Sequence, residues 1–165
     1  MKLESLHELY TKELHDMYDA ENQIVKALPK LVESSKSTQL RNALSQHLEQ
    51  TRGHVQRLER ILRMHNEDVK GEKCKGLEGI IDEGKDIIKH DENPDARDAG
   101  IIAGAQKVEH YEMASYGSLR TWAQQMGHTE AAQLLQQTLD EEKEADKKLT
   151  EIAQQLNVEA VRRAG

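Results

Sequence analysis

Seven side chains in this sequence have the types and the spacing to hold metal: Glu21, His47, His54, Glu109, Glu112, Glu142 and Asp146. Each lies in a stretch whose apolar residues recur every three or four positions, the pattern of an amphipathic helix. Around Gln106 to Trp122, QKVEHYEMASYGSLRTW, the apolar seam runs Ile101, Ala105, Val108, Glu112, Ser115, Leu119 and Trp122, with Glu109 close beside it. Glu21 interrupts the stripe Leu3, Leu6, Tyr10, Leu14, Met17, Ile24, Leu28, Leu31. Glu142 and Asp146 take successive core positions in Leu135, Leu139, Leu149, Ala153, Leu156. His47 and Thr51 interrupt Leu40, Leu44, Leu48, Val55, Leu58, Leu62, with His54 on the shoulder of that stripe.

Burial and mutual repulsion both disfavour charged carboxylates, so acids on an apolar seam need protons, buried cationic side chains or bound cations. The seams carry no lysine or arginine at this level. Two divalent ions would bring +4 against the five carboxylates, and carboxylate combined with imidazole suits iron or manganese. Taken singly, Glu21 or Glu142 is equally a hydrogen-bonded structural acid, and His47 a hydrogen-bonded core histidine. The metal reading rests on four polar interruptions falling at one level. His110 points away from its seam, and Glu4-x-x-His7 has ligand spacing but lies at the end of the bundle. Glu49 faces solvent unless a π-bulge turns it inward.

The elements that must position these groups are four long helices, at about 3–33, 38–66, 94–126 and 129–156, with a short helix at about 77–90, in one domain of residues 1–165. Pro29 predicts a kink in the first. Ser37 or Thr38 caps the second, Asn93 and Pro94 open the third long helix, Gly127 ends it, and Thr129 caps the last. The tail beyond Leu156 is expected to fray. Gly100 and Gly104 leave room for close packing within the subunit or across a dimer. The fold class is therefore all-α: 36% apolar and 32% charged residues, two prolines and no phenylalanine fit slender amphipathic helices and not a sheet. Sliding the first helix onto the third long one superposes Glu21 on Glu112, a weak internal symmetry.

A net charge of −7 disfavours nucleic acid or an anionic membrane as partner and suits cations. The chain shows no charged-then-apolar leader and no apolar run near the roughly 18 residues of a membrane span, which predicts a cytoplasmic protein. The single cysteine, Cys74, allows no internal disulfide and no cysteine-built zinc site. Lys73 and Lys75 beside it would favour a thiolate, although an ordinary residue at a helix start is the simpler reading.

The segments AENQIVKALPKL from Ala20, HLEQTRGHVQRLE from His47, KCKGLEGII in the connection, AQKVEHYEMASYGSL from Ala105 and TLDEEKEADKKLT from Thr138 resemble the YciF/YciE family of bacterial stress proteins. The resemblance covers nearly the whole chain. It implies a ferritin-like four-helix bundle with a crossover between helices 2 and 3 and a short additional helix, rubrerythrin-like topology and homodimers. It also implies a metal shell of Glu21, His47, Glu109, Glu112, Glu142 and Asp146, with His54 as a less secure ligand. The Glu-x-x-His pattern of the wider ferritin-like group is absent: Arg52 follows Glu49 and Ala145 follows Glu142 at that spacing. The functional expectation is a stress-response di-metal protein, with iron foremost and manganese second, reacting with peroxide or oxygen as a rubrerythrin-like or catalase-like oxidoreductase. The alternative is a non-catalytic metal-binding or structural dimer. Tyr18 and Tyr116, one turn from Glu21 and Glu112, are expected to donate hydrogen bonds to the site or relay electrons.

Overall fold

A computed structural model describes residues 4–162; residues 1–3, with the expected start of the first helix at Leu3, and 163–165 lie outside the described residues. Five helices follow in order: α1 Leu6–Ser34, α2 Thr38–Met64, α3 Lys75–Ile87, α4 Pro94–Gln125 and α5 Thr129–Arg162. The described residues include no strand. α1 and α2 form one hairpin, α4 and α5 the other; α1 packs on α4 and α2 on α5. The long connection from α2 to α4 carries α3, which lies against α4 and α1. This is the ferritin-like arrangement, all-α with a crossover between the two hairpins. Among the described residues, no helix is long and apolar enough to cross a membrane.

Local signals set the helix ends. Ser5 and Ser37 accept from the Glu8 and Leu40 amides, and Asn93 accepts from those of Asp95 and Ala96 ahead of a first-turn Pro94. At the other ends, Asn66 (φ 57°) and Gly127 (φ 76°) adopt the left-handed conformation. The next amides then reach back to the Leu62 and Ala123 carbonyls at 3.0 and 2.8 Å, closing both helices. α1 runs through Pro29 to Ser34. α5 begins at Thr129, which is the first helical residue and not the expected cap, because the Ala132 amide closes on the His128 carbonyl at 2.9 Å. It continues to Arg162, so the turns beyond Leu156 are helical and not frayed.

Two buried acids that the seam pattern does not single out lock the hairpins in level. Asp98 is fully buried and accepts from the amides of Lys36 and Ser37 at 2.9 and 2.7 Å. Asp95 holds the Lys36 ammonium at 2.7 Å. The α1–α2 turn is thereby fastened to the first turn of α4, which fixes how far each hairpin slides along the other. Gly100 and Gly104 of α4 lie close to α3 inside the subunit: a Cβ on Gly100 would come within 2.6 Å of the Ile87 side chain, and one on Gly104 within 4.0 Å of Gly84.

The buried seams differ from the expected ones by a small rotation. On α4 the seam is Ala105, Glu109, Glu112, Tyr116, Leu119 and Ala123, replacing Val108, Ser115 and Trp122. On α2 it is His47, Thr51, His54, Leu58 and Ile61, so His54 takes the place expected for Val55. On α5 Ile152 replaces Ala153. Cys74 is buried with its Sγ 3.1 Å from Tyr111 Oη, and burial, then Asp16, raises its pKa. Its environment thus opposes the thiolate, and Lys73 is spent on Glu78 at 2.7 Å.

Candidate metal centre

Six of the seven expected side chains meet in the middle of the bundle: Glu21 from α1, His47 and His54 from α2, Glu109 and Glu112 from α4, and Glu142 from α5. None is more than 6% exposed. They divide into two sets, His47, Glu109, Glu112 and Glu142, and Glu21, His54 and Glu142, each with ligand atoms within 4.8 Å of one another. Glu142 belongs to both. Its Oε1 lies 2.8 Å from His54 Nδ1 and its Oε2 3.9 Å from His47 Nε2, so its two oxygens face different histidines.

Helix geometry explains the layout. His47 and His54 are seven residues apart, nearly two turns, and so share a face, with their ring centroids 6.4 Å apart at two neighbouring levels. Glu109 and Glu112 are one turn apart on the facing helix. His47 Nε2 stands 3.1 Å from Glu109 Oε1, while His54 Nδ1 stands 3.3 Å from Glu21 Oε1 at the other level. Glu112, fully buried, stands in the set that holds His47 and Glu109.

The donor atoms are poorly satisfied by the protein itself. Both oxygens of Glu112 and of Glu142, Oε2 of Glu21 and of Glu109, both nitrogens of His47 and Nδ1 of His54 are buried without an aligned hydrogen-bond partner. Orphaned polar atoms are rare in protein interiors and each is costly. Their grouping into two oxygen and nitrogen sets fits two divalent transition ions, and four carboxylates with two neutral imidazoles would balance two such ions.

Without such ions, protons redistribute. Burial, then the neighbouring Glu142, raises the Glu109 pKa well above its usual range; burial, then Glu142 and Glu21, does the same for Glu112. Burial lowers that of His47, against the pull of Glu142, so its ring is neutral. Burial alone would lower His54 too, but close contact with Glu141, Glu142 and Glu21 outweighs it and pushes the pKa up to about 12. Glu142, against the effect of burial, is lowered by His54 and Glu109 and stays ionised. The metal-free centre is therefore a charged His54–Glu142 pair beside two protonated glutamates.

Two supporting groups set ring and carboxylate orientation. Glu141 accepts from His54 Nε2 at 2.8 Å and takes both guanidinium nitrogens of Arg57 at 2.8 and 2.7 Å. Burial would raise its pKa, but His54 and Arg57 bring it down to about 2. The sequence signal for Glu141 was slight, an acid next to a seam position, and only the Arg57 fork distinguishes it. Tyr116 donates to Glu21 across the bundle, not to Glu112 on its own helix; burial, then Glu21, raises its pKa, so the phenol keeps its proton. Glu141→Gln should keep the fold yet weaken metal binding about 10–100-fold, as loss of an outer carboxylate does, read by competition with a chromophoric chelator. Unchanged affinity would show that His54 is not a ligand.

Asp146 is the expected residue that does not join. Positions 145 and 146 straddle the α5 seam, and Asp146 turns outward to Gln106 Nε2 at 3.1 Å and His110 Nε2 at 3.3 Å. Tyr18 also faces elsewhere, donating to Glu59 at 3.3 Å. Glu49 is exposed and paired with Arg52, with no π-bulge, and Thr51 bonds the His47 carbonyl at 2.8 Å. A cleft of about 40 Å³ between α2 and α5, edged by Gln46, Gln50, Glu144 and Lys148, reaches His47 and Glu109. Its edge is polar, Ala43, Leu44, Ala145 and Leu149 line the rest, and it has room for a few waters.

The chain matches the family described as a domain of unknown function, DUF892, over residues 5–162. It is 42% identical to protein YciF of Escherichia coli strain K12 over 154 residues, 93% of each chain. The crystal structure of that stress protein superposes with a TM-score of 0.89, covering 93% of this chain and 97% of the other. YcfI of Rhodopseudomonas palustris is 36% identical, with a TM-score of 0.87 over 90% and 95% of the two chains. Sequence, fold and coverage agree that the chain belongs to the YciF-like family of DUF892 domains.

Proposed function

We propose that this chain is a di-metal carboxylate protein, holding iron or, second, manganese, that reacts with peroxide or oxygen during stress. The observation that carries the reading is the pair of buried ligand sets sharing Glu142, with their donor atoms orphaned. Two such ions supply, when bound, the one-electron changes that oxygen and peroxide chemistry needs. The protein's part is positioning. Glu142 spans the two levels, Glu141 and Arg57 hold the His54 ring, Tyr116 holds Glu21, and the surrounding aliphatic core excludes bulk water. The chain has one cysteine, and it is buried, so electrons for repeated turnover come from an outside reductant. The stress role named for the Escherichia coli relative is consistent with such chemistry.

Elemental analysis of the protein loaded without oxygen with iron(II) or manganese(II), then desalted, tests this. About two retained ions per chain are expected. Uptake should release protons, on the order of three at neutral pH, because Glu109, Glu112 and His54 each carry one before binding. No retained metal would overturn the reading. Retained metal with no peroxide or oxygen consumption would leave the non-catalytic alternative, an ion pair that stabilises the bundle.

A further inference from the structure

A second opening reaches the same centre from the opposite side and has a different chemistry. Between α1, α3 and α4 lies a cavity of about 140 Å³. Its walls are aliphatic, with Ile24 and Leu28 from α1, Ile81 and Ile88 from α3, and Ile101 and Val108 from α4. His47 and Glu109 stand among its lining, which links it to the metal centre. Lys26, Lys30 and Lys85 belong to it as well, and all three are exposed. Lys85 is paired with Asp82 at 2.7 Å, whereas Lys26 and Lys30 have no ion-pair partner among the described residues.

Peroxide or oxygen needs neither feature. An aliphatic lining around a space of this size suits an apolar guest of about six carbons. An ammonium at the open end selects an anion there. We propose that the cavity binds an aliphatic carboxylate of about six to eight carbons, with its chain among the isoleucines, its carboxylate on Lys26 and Lys30, and its far end toward His47 and Glu109. The proposal rests on the di-metal reading only for what that far end meets; the binding itself needs no metal.

Calorimetric titration of the full chain, with and without iron(II), using butanoate, hexanoate, octanoate and octan-1-ol, provides the test. One site per chain is expected, tightening roughly fourfold for each added methylene. A Cβ at Gly84 would meet nothing within 4 Å and Gly84 lines the cavity, so Gly84→Leu takes up part of that space and should weaken octanoate at least tenfold, with helix and metal content retained. Lys26→Glu combined with Lys30→Glu should weaken octanoate severalfold and leave octan-1-ol unchanged. Absence of saturable octanoate binding, or binding indifferent to Gly84→Leu, overturns the proposal. So does a dimer, seen by sedimentation, that Gly84→Leu splits while octanoate fails to bind, since the face would then be an interface between copies. Octanoate binding to a chain that retains no metal would uphold the cavity and sink the di-metal reading, which separates the two.

Discussion

Glu112→Gln should abolish tight metal binding and leave the metal-free bundle at least as stable as the parent. The residue is fully buried with both carboxylate oxygens unpartnered, so a bound ion is the group that would satisfy them. Losing a direct ligand should cost more than the ~10–100-fold that outer partners cost. In the metal-free protein the carboxyl is already protonated, because burial, then Glu142 and Glu21, raises its pKa; glutamine is then nearly isosteric and neutral. The sign with pH follows. A carboxyl whose folded pKa is raised binds more protons in the native state, so its contribution is fully present below about pH 4.5 and is lost as pH rises through the folded value. Glu109 behaves alike. Metal-free parent should therefore lose stability as pH climbs above 5, and Glu112→Gln should flatten that slope. Urea unfolding at several pH values, beside metal analysis, reads both effects. A variant that still retains two ions would remove Glu112 from the site.

His54→Leu produces the opposite dissociation: the metal-free protein is damaged most. The His54 ring is fully buried, 2.8 Å from Glu142 and from Glu141 and 3.3 Å from Glu21. Its imidazolium is the cation that balances Glu142 when no metal does. Removing one member of a buried charged pair typically costs about 3–5 kcal/mol, since the other is left uncompensated. With its pKa pushed up to about 12, His54 contributes stability that is fully present below about pH 6.5 and is lost as pH rises toward 12. Glu142, whose pKa is lowered, contributes above about pH 4.5 and loses that contribution as pH falls further. The gap between parent and variant should thus be widest near pH 5–6.5 and narrow at alkaline pH. Excess iron(II) or manganese(II) should recover part of the loss by supplying positive charge. A cost below about 1 kcal/mol in urea unfolding would mean that Glu142 is protonated and not paired.

How legible the site was depends on the residue. Glu21 and Glu142 stand in unambiguous stripes, with apolar neighbours a turn away on both sides, and they lie where those stripes put them. Glu109 and His54 were less clear because a seam through Ala105, Glu112 and Leu119 repeats every seven residues. The intermediate position can then be i+3 or i+4, and both are close to one face. Val108 and Glu109 compete for that place on α4, as do His54 and Val55 on α2. On α5 the seam passes between Ala145 and Asp146, and Asp146 follows the solvent side to His110 and Gln106. Periodicity carries no information on that choice, which is made by the helices packed opposite.

The sequence by itself determined the helices, the Ser37 and Asn93 caps, the turn at Gly127 and the presence of acids and imidazoles near mid-bundle on every long helix, because these follow from local hydrogen bonding and the 3.6-residue period. Tertiary structure decided which shoulder residues turn inward, that Tyr116 serves Glu21 across the bundle, that Glu141 and Arg57 hold His54, and that Asp98 and Asp95 lock the hairpins in level. It also made an aliphatic cavity beside the centre by laying α3 across α1 and α4. Those outcomes depend on helix rotation and slide, which are set by contacts between residues far apart in the chain.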